Sequence, residues 1–92
     1  MKKYLIKREI EGAVNIPQEK LNEIGKNSEG VLIEMRNEGK EIEQEHSYIV
    51  GDCVFCVYNA SSEAFIKEHA QRAHVPANEI TEISTILKHN TN

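Results

Sequence analysis

The chain has few of the residues on which disulfide-rich, collagen-like and low-complexity proteins depend. Its 92 residues include no tryptophan, two cysteines, two prolines and five glycines. Two cysteines are too few for the disulfide framework of a small secreted domain, so we expect a reducing, cytoplasmic compartment. The low proline and glycine content excludes collagen-like and low-complexity sequence. We therefore expect one small globular domain that spans residues 1–92.

The sequence also lacks a long apolar run and an excess of basic residues. A membrane helix needs about 20 apolar residues, and the apolar stretch near the start is only residues 4–6, shorter than that of a signal peptide. The net charge of -4 argues against nonspecific nucleic-acid binding, which needs a basic face. We predict no membrane partner and no nucleic-acid partner.

The spacing of apolar residues predicts the order β-α-β-β-α-β. Strands are predicted at residues 2–10, 42–50, 54–60 and 80–87, with a hairpin turn at Gly51 and Asp52. A first helix is predicted to begin at Pro17 and to end before Gly39, a left-handed cap. Ser61 is the predicted N-cap of a second helix, whose inner stripe is Ile66, His69, Ala70 and Ala73.

This order is that of the ferredoxin-like α+β fold, an antiparallel sheet with both helices on one face. The predicted hairpin has apolar residues on both faces, and two helices cover only one of them. A second copy of the chain, packed sheet against sheet, would cover the other face. We therefore predict a homodimer of the dimeric α+β barrel type.

The hairpin decides what the Cys-x-x-Cys at Cys53 and Cys56 can do. If Val50 and Cys53 close the turn, His46 faces Val57, and the two cysteines point to opposite faces of the sheet. Residues three apart on a strand are separated by about 10 Å, whereas a disulfide needs Cα atoms within about 7 Å. The two thiols are therefore predicted neither to pair nor to bind one metal together.

Several short motifs, in this order, resemble the DUF4242 family of small bacterial proteins. They are residues 3–10 (KYLIKREI), Ser47-Tyr48, Cys56-Val57-Tyr58 with Ala60, residues 68–70 (EHA) and Pro76-Ala77. The resemblance covers nearly the whole chain. It implies a ferredoxin-like fold and a dimer, and it implies nickel binding in the cytoplasm.

The resemblance directs attention to a small set of side chains. His69, Cys56 and Glu9 are the predicted metal ligands, for nickel or else copper or zinc. Ser47 and Tyr58 are predicted to contact a bound ligand. Each predicted metal ligand has an alternative role. His69 could be a core histidine bonded to the backbone or to a tyrosine, Cys56 a buried structural thiol, and Glu9 a solvated strand-end residue.

Three hypotheses of function follow. The first is a cytoplasmic, homodimeric protein that binds nickel or another transition metal. The second is a small-molecule-binding protein or cofactor-free enzyme, with a pocket near His69, Cys56 and Tyr58. The third is a plain interaction module. We favour binding over catalysis, because no spacing of nucleophile and base in the sequence supports an enzyme.

Overall fold

The protein is described by a computed structural model of residues 1–90. Its strands and helices are β1 (Lys2–Glu9), a 3-10 turn (Ala13–Asn15), α1 (Gln18–Asn37), β2 (Ile42–Val50), β3 (Cys53–Ala60), α2 (Glu63–Ala73) and β4 (Glu79–Glu82). The strands form an antiparallel sheet in the order β2-β3-β1-β4. The predicted ferredoxin-like α+β fold is confirmed.

The core lies between the two helices and one face of the sheet, which we call the helix side. Strand alternation turns Tyr4 and Ile6 of β1 to this side, where both are buried. On α2, the predicted inner stripe is confirmed, since all four of its residues are buried. On α1, the buried residues lie only in the C-terminal half of the helix, and they are Val31, Leu32 and Met35. The N-terminal half of α1 therefore packs less closely on the sheet.

The hairpin has the predicted register. Val50 pairs with Cys53, Tyr48 with Phe55 and His46 with Val57. Gly51 has a φ of 59°, a left-handed conformation that glycine adopts without strain. Both cysteines are free thiols, as predicted.

One irregularity of β2 was not predicted. A β-bulge interrupts the pairing with β3 between Gln44 and His46. The extra residue places Gln44 on the helix side together with Ser47, although strict alternation would separate them. The bulge therefore brings a second polar side chain to this part of the sheet.

The other face of the sheet, which we call the open face, carries exposed apolar side chains. Tyr48 and Val50 are 57% and 56% exposed, and Leu5 is also exposed. In a single copy of the chain this part of the open face is therefore not buried. The predicted second copy on this face stays a prediction.

Three predicted boundaries were wrong. Pro17 has an extended ψ of 150° and precedes α1 instead of beginning it. The N-cap of α2 is Ser62, whose hydroxyl accepts from the Ala64 N–H. Ser61 lies one residue too early, and its N–H donates to the Glu41 carbonyl at the end of the β2-β3 pair. The last strand ends at Glu82, where its pairing with residues 4–7 of β1 ends.

Gly30 offers a test of helix α1. It is exposed, and an added Cβ would meet no atom within 4 Å. Gly30→Ala is expected to raise the free energy of unfolding by about 1 kcal/mol, because alanine loses less backbone entropy in a helix. Gly39→Ala is the matched control. The φ of Gly39 is 88°, which is unfavourable for alanine, so this substitution should lower the free energy of unfolding by about 1 kcal/mol. Urea denaturation measures both, and a destabilised Gly30→Ala would contradict a regular helix at this point.

Candidate ligand and metal site

Three buried polar side chains form a hydrogen-bonded row inside the core. The Arg8 Nη2 group donates to the Tyr58 hydroxyl at 2.6 Å, and this hydroxyl lies 2.8 Å from His69 Nδ1. The Nε2 atom of His69 lies 3.1 Å from the backbone carbonyl of Ser28. Because a carbonyl only accepts, Nε2 carries the proton, and Nδ1 accepts from the Tyr58 hydroxyl. The hydrogen bonds thus define one tautomer of a neutral imidazole.

Burial shifts the pKa values of both rings in the direction that these hydrogen bonds require. Burial lowers the pKa of His69, and the nearby Arg8 charge lowers it further. Burial raises the pKa of Tyr58 despite the neighbouring guanidinium. Both groups are therefore neutral near pH 7, and Arg8 carries the only charge of the row.

A second row of hydrogen bonds continues from His69 to Cys56. The Ser28 hydroxyl lies 3.2 Å from His69 Nε2 and donates to Gln44 Oε1 at 3.1 Å. The Gln44 amide donates to the Ser47 hydroxyl at 2.8 Å, and Ser47 donates to the Cys56 sulfur at 3.1 Å. We call the two rows together the polar network. It links Arg8 on β1 with Cys56 on β3.

A pocket of about 350 Å³ lies above the polar network, between the N-terminal half of α1 and the sheet. Its volume is at the small end of the roughly 300–1,000 Å³ that is usual for small-molecule sites. Its polar floor includes Arg8, Ser28, Gln44, Ser47 and Cys56. Its apolar walls include Ile16, Leu21, Ile24, Ile49, Val54 and Val75. An apolar pocket with a few polar groups is typical of a binding site for a small organic molecule.

Four of the five predicted site residues belong to this region. Ser47 and Cys56 line the pocket, and Tyr58 and His69 are joined to them through the polar network. Glu9 does not belong to it. It is exposed, on the open face, and pairs in register with Cys53. Strand alternation is the reason, because positions 5, 7 and 9 of β1 all point away from the helices.

The predicted metal ligands do not form a metal centre within one copy of the chain. Both ring nitrogens of His69 are engaged, by Tyr58 and by Ser28, and the Cys56 sulfur accepts from Ser47. Over residues 1–90, no group of three or more His, Cys, Asp and Glu side chains is placed to hold a metal. The alternative for His69, a core histidine bonded to the backbone and a tyrosine, describes its environment in the structure.

Sequence reasoning missed Arg8 and Gln44. Arg8 occupies the position after Tyr4 and Ile6 on the helix side of β1, and it is buried. Alternation alone would have placed it there, but a charged residue near a strand end is usually solvated. Gln44 reaches the pocket only because of the bulge, for which the sequence offers no clear signal.

The fold and the pocket define a ferredoxin-like α+β protein with a ligand-sized site between a helix and the sheet. A family model described as "Nickel responsive protein SCO4226-like" matches residues 4–83. The chain belongs to this family. The prediction of a nickel-linked family is therefore confirmed, although the matching model does not carry the name DUF4242.

A solved structure is similar in fold. The crystal structure of SCO4226 from Streptomyces coelicolor A3(2) matches with a TM-score of 0.74 and 16% sequence identity, over 92% of this chain and 99% of that chain. At this identity the likeness shows the fold alone. No curated protein matches the chain. Among residues 1–90, no helix has the length and apolar character needed to cross a membrane.

Proposed function

We propose that the protein binds nickel as a cytoplasmic homodimer and so takes part in a nickel response. The observation that carries this proposal is the family match, which extends over residues 4–83. Imidazole and thiolate donors also suit copper and zinc, so the preference for nickel rests on the family and not on the donor atoms.

The arrangement of donors supports a metal held between two copies of the chain. The sheet separates the candidate donors by face, with His69 and Cys56 on the helix side and His46 and Cys53 on the open face. The helix-side pair is engaged in the polar network, whereas the open face also carries Glu9. Sheet-to-sheet pairing of two copies would bring two sets of open-face donors together.

The exposed apolar side chains of the open face support the same dimer. Leu5, Tyr48 and Val50 are exposed in one protomer, and burying them against a second copy removes apolar surface from water. Light scattering on the metal-free and nickel-loaded protein measures the mass. A monomer under both conditions would contradict the dimer.

The two pairs of donors give a matched test of nickel binding. Isothermal titration with nickel is compared for His46→Ala and Cys53→Ser on the open face, and for His69→Ala and Cys56→Ser on the helix side. We expect the open-face variants to weaken binding by about tenfold or more, the usual effect of losing a ligand or its support. The helix-side variants should leave it unchanged. Absence of saturable binding, or a loss confined to the helix-side variants, would contradict the shared site.

The pocket favours a second candidate function, the binding of a small organic molecule. Its apolar walls and polar floor are the supporting observation. Catalysis is less well supported, because the Cys56 sulfur accepts from the Ser47 hydroxyl and has no base beside it in the polar network. A shift of the melting temperature in a metabolite screen, lost when the pocket is filled, tests this candidate.

A further inference from the structure

The pocket contains a buried cation whose charge is not paired. Arg8 is only 4% exposed, and its guanidinium donates to the Tyr58 hydroxyl at 2.6 Å and to the Pro76 carbonyl at 3.2 Å. Its Cζ atom lies 5.7 Å from the centre of the Tyr58 ring. These are neutral partners, and no carboxylate in residues 1–90 lies within ion-pair distance of Arg8. A buried charge without a counter-charge is unfavourable.

The two carboxylates that line the pocket are already neutralised elsewhere. Glu29 pairs with Arg36 at 3.1 Å, and Glu45 pairs with Lys3. Arg36 and Lys3 do not line the pocket. The charge left for a ligand to meet is therefore the positive charge of Arg8.

We propose that the pocket binds an organic carboxylate with an apolar body, a proposal that rests on the second candidate function. The carboxylate accepts hydrogen bonds from Arg8, whose planar fork matches two carboxylate oxygens. The apolar body packs on Leu21, Ile24 and Ile49. A single cation without a counter-charge fits a monoanion better than a doubly charged phosphate.

The proposal predicts a difference between two ligands of similar shape. Isothermal titration of the whole chain uses octanoate and its neutral counterpart octan-1-ol. Hydrogen bonds between a guanidinium and a carboxylate are stronger than those to a neutral hydroxyl, so octanoate should bind about tenfold more tightly or better. Arg8→Met should remove this preference, and Arg8→Lys should retain part of it. Equal binding of the two ligands by the unaltered protein would contradict the proposed preference for a carboxylate and leave the pocket as a general apolar site.

Two glycines of α1 show whether octanoate occupies this pocket. Gly25 lines the pocket, Gly30 does not, and an added Cβ at either position meets no atom within 4 Å. Gly25→Leu should fill the pocket and weaken octanoate binding about tenfold or more, whereas Gly30→Leu should not change it. Octanoate that binds Gly25→Leu normally, or that does not bind the unaltered protein, would overturn the proposal, whereas the second candidate function falls only if the metabolite screen also finds no ligand. If Arg8→Met does not fold, two comparisons still test the proposal: octanoate with octan-1-ol, and Gly25→Leu with Gly30→Leu.

Discussion

Replacing Tyr58 with phenylalanine is expected to lower the free energy of unfolding by about 3 kcal/mol. The Tyr58 hydroxyl accepts from Arg8 at 2.6 Å and donates to His69 at 2.8 Å, and all three side chains are buried. Loss of a hydrogen bond to a charged group costs about 1.5–3 kcal/mol, and loss of a neutral one about 1 kcal/mol. The phenylalanine ring fills the same space, so the change isolates the polar contribution of the hydroxyl.

Urea denaturation of the two proteins measures this difference. Tyr48→Phe is the matched control, because Tyr48 is 57% exposed in one copy of the chain. The proposed dimer would bury Tyr48, so the proteins are compared at a concentration at which light scattering gives the mass of a monomer. It should change the free energy of unfolding by less than about 0.5 kcal/mol. A loss below about 1 kcal/mol for Tyr58→Phe would contradict the role assigned to the polar network, since it would mean that Arg8 and His69 find other partners.

The fold could be predicted because its determinants are local. The turn at Gly51 and Asp52 fixes the register of β2 and β3, and with it the face of every residue from His46 to Tyr58. The helical spacing of Ile66, His69 and Ala73 determines which side of α2 is buried. The cap of α2 could not be predicted in the same way. Ser61 and Ser62 have equal propensity as caps, and the choice depends on where β3 ends, which includes a hydrogen bond from Ser61 to Glu41, the residue before β2.

The site could be predicted only in part, for a different reason. The family resemblance predicts Ser47, Cys56, Tyr58 and His69 as site residues, and the structure joins them in the polar network. Arg8 completes that network, but its contact with Tyr58 depends on the conformations of long side chains on neighbouring strands and not on sequence spacing. The predicted metal set combined residues from both faces of the sheet, because the sequence alone did not show that Glu9 and Cys56 lie on opposite sides of it.

The neutral state of His69 should make stability fall as the pH falls below about 6.5. Burial lowers the pKa of His69 in the folded protein below its ordinary value of 6.5. As the pH falls through 6.5, the unfolded chain binds a proton that the folded protein does not. The unfolded state then binds more protons, so the free energy of unfolding falls, with a slope that approaches about 1.4 kcal/mol per pH unit. The loss of stability stops only when the pH is below the pKa of His69 in the folded protein.

Carboxylates contribute in a lower pH range and can be separated from this effect. Hydrogen bonds from Arg72, and then Lys40, lower the pKa of Glu38 to about 2, and Lys40 lowers that of Glu68. The stability that these groups add is complete above their ordinary pKa of 4.5. It is lost only as the pH falls below that value, so the range just below pH 6.5 reports on histidine.

Urea denaturation at about pH 7.5, 6.5 and 5.5 tests this dependence on His69. His69→Gln removes the titrating ring and keeps an amide that can both donate and accept, so the slope between these pH values should flatten. His89→Gln is the control for the loss of a histidine, because His89 is exposed and lies after the last strand. Its slope should match that of the unaltered protein. Equal slopes in all three proteins would mean that His69 gains its proton without cost, and that the polar network does not require a neutral imidazole.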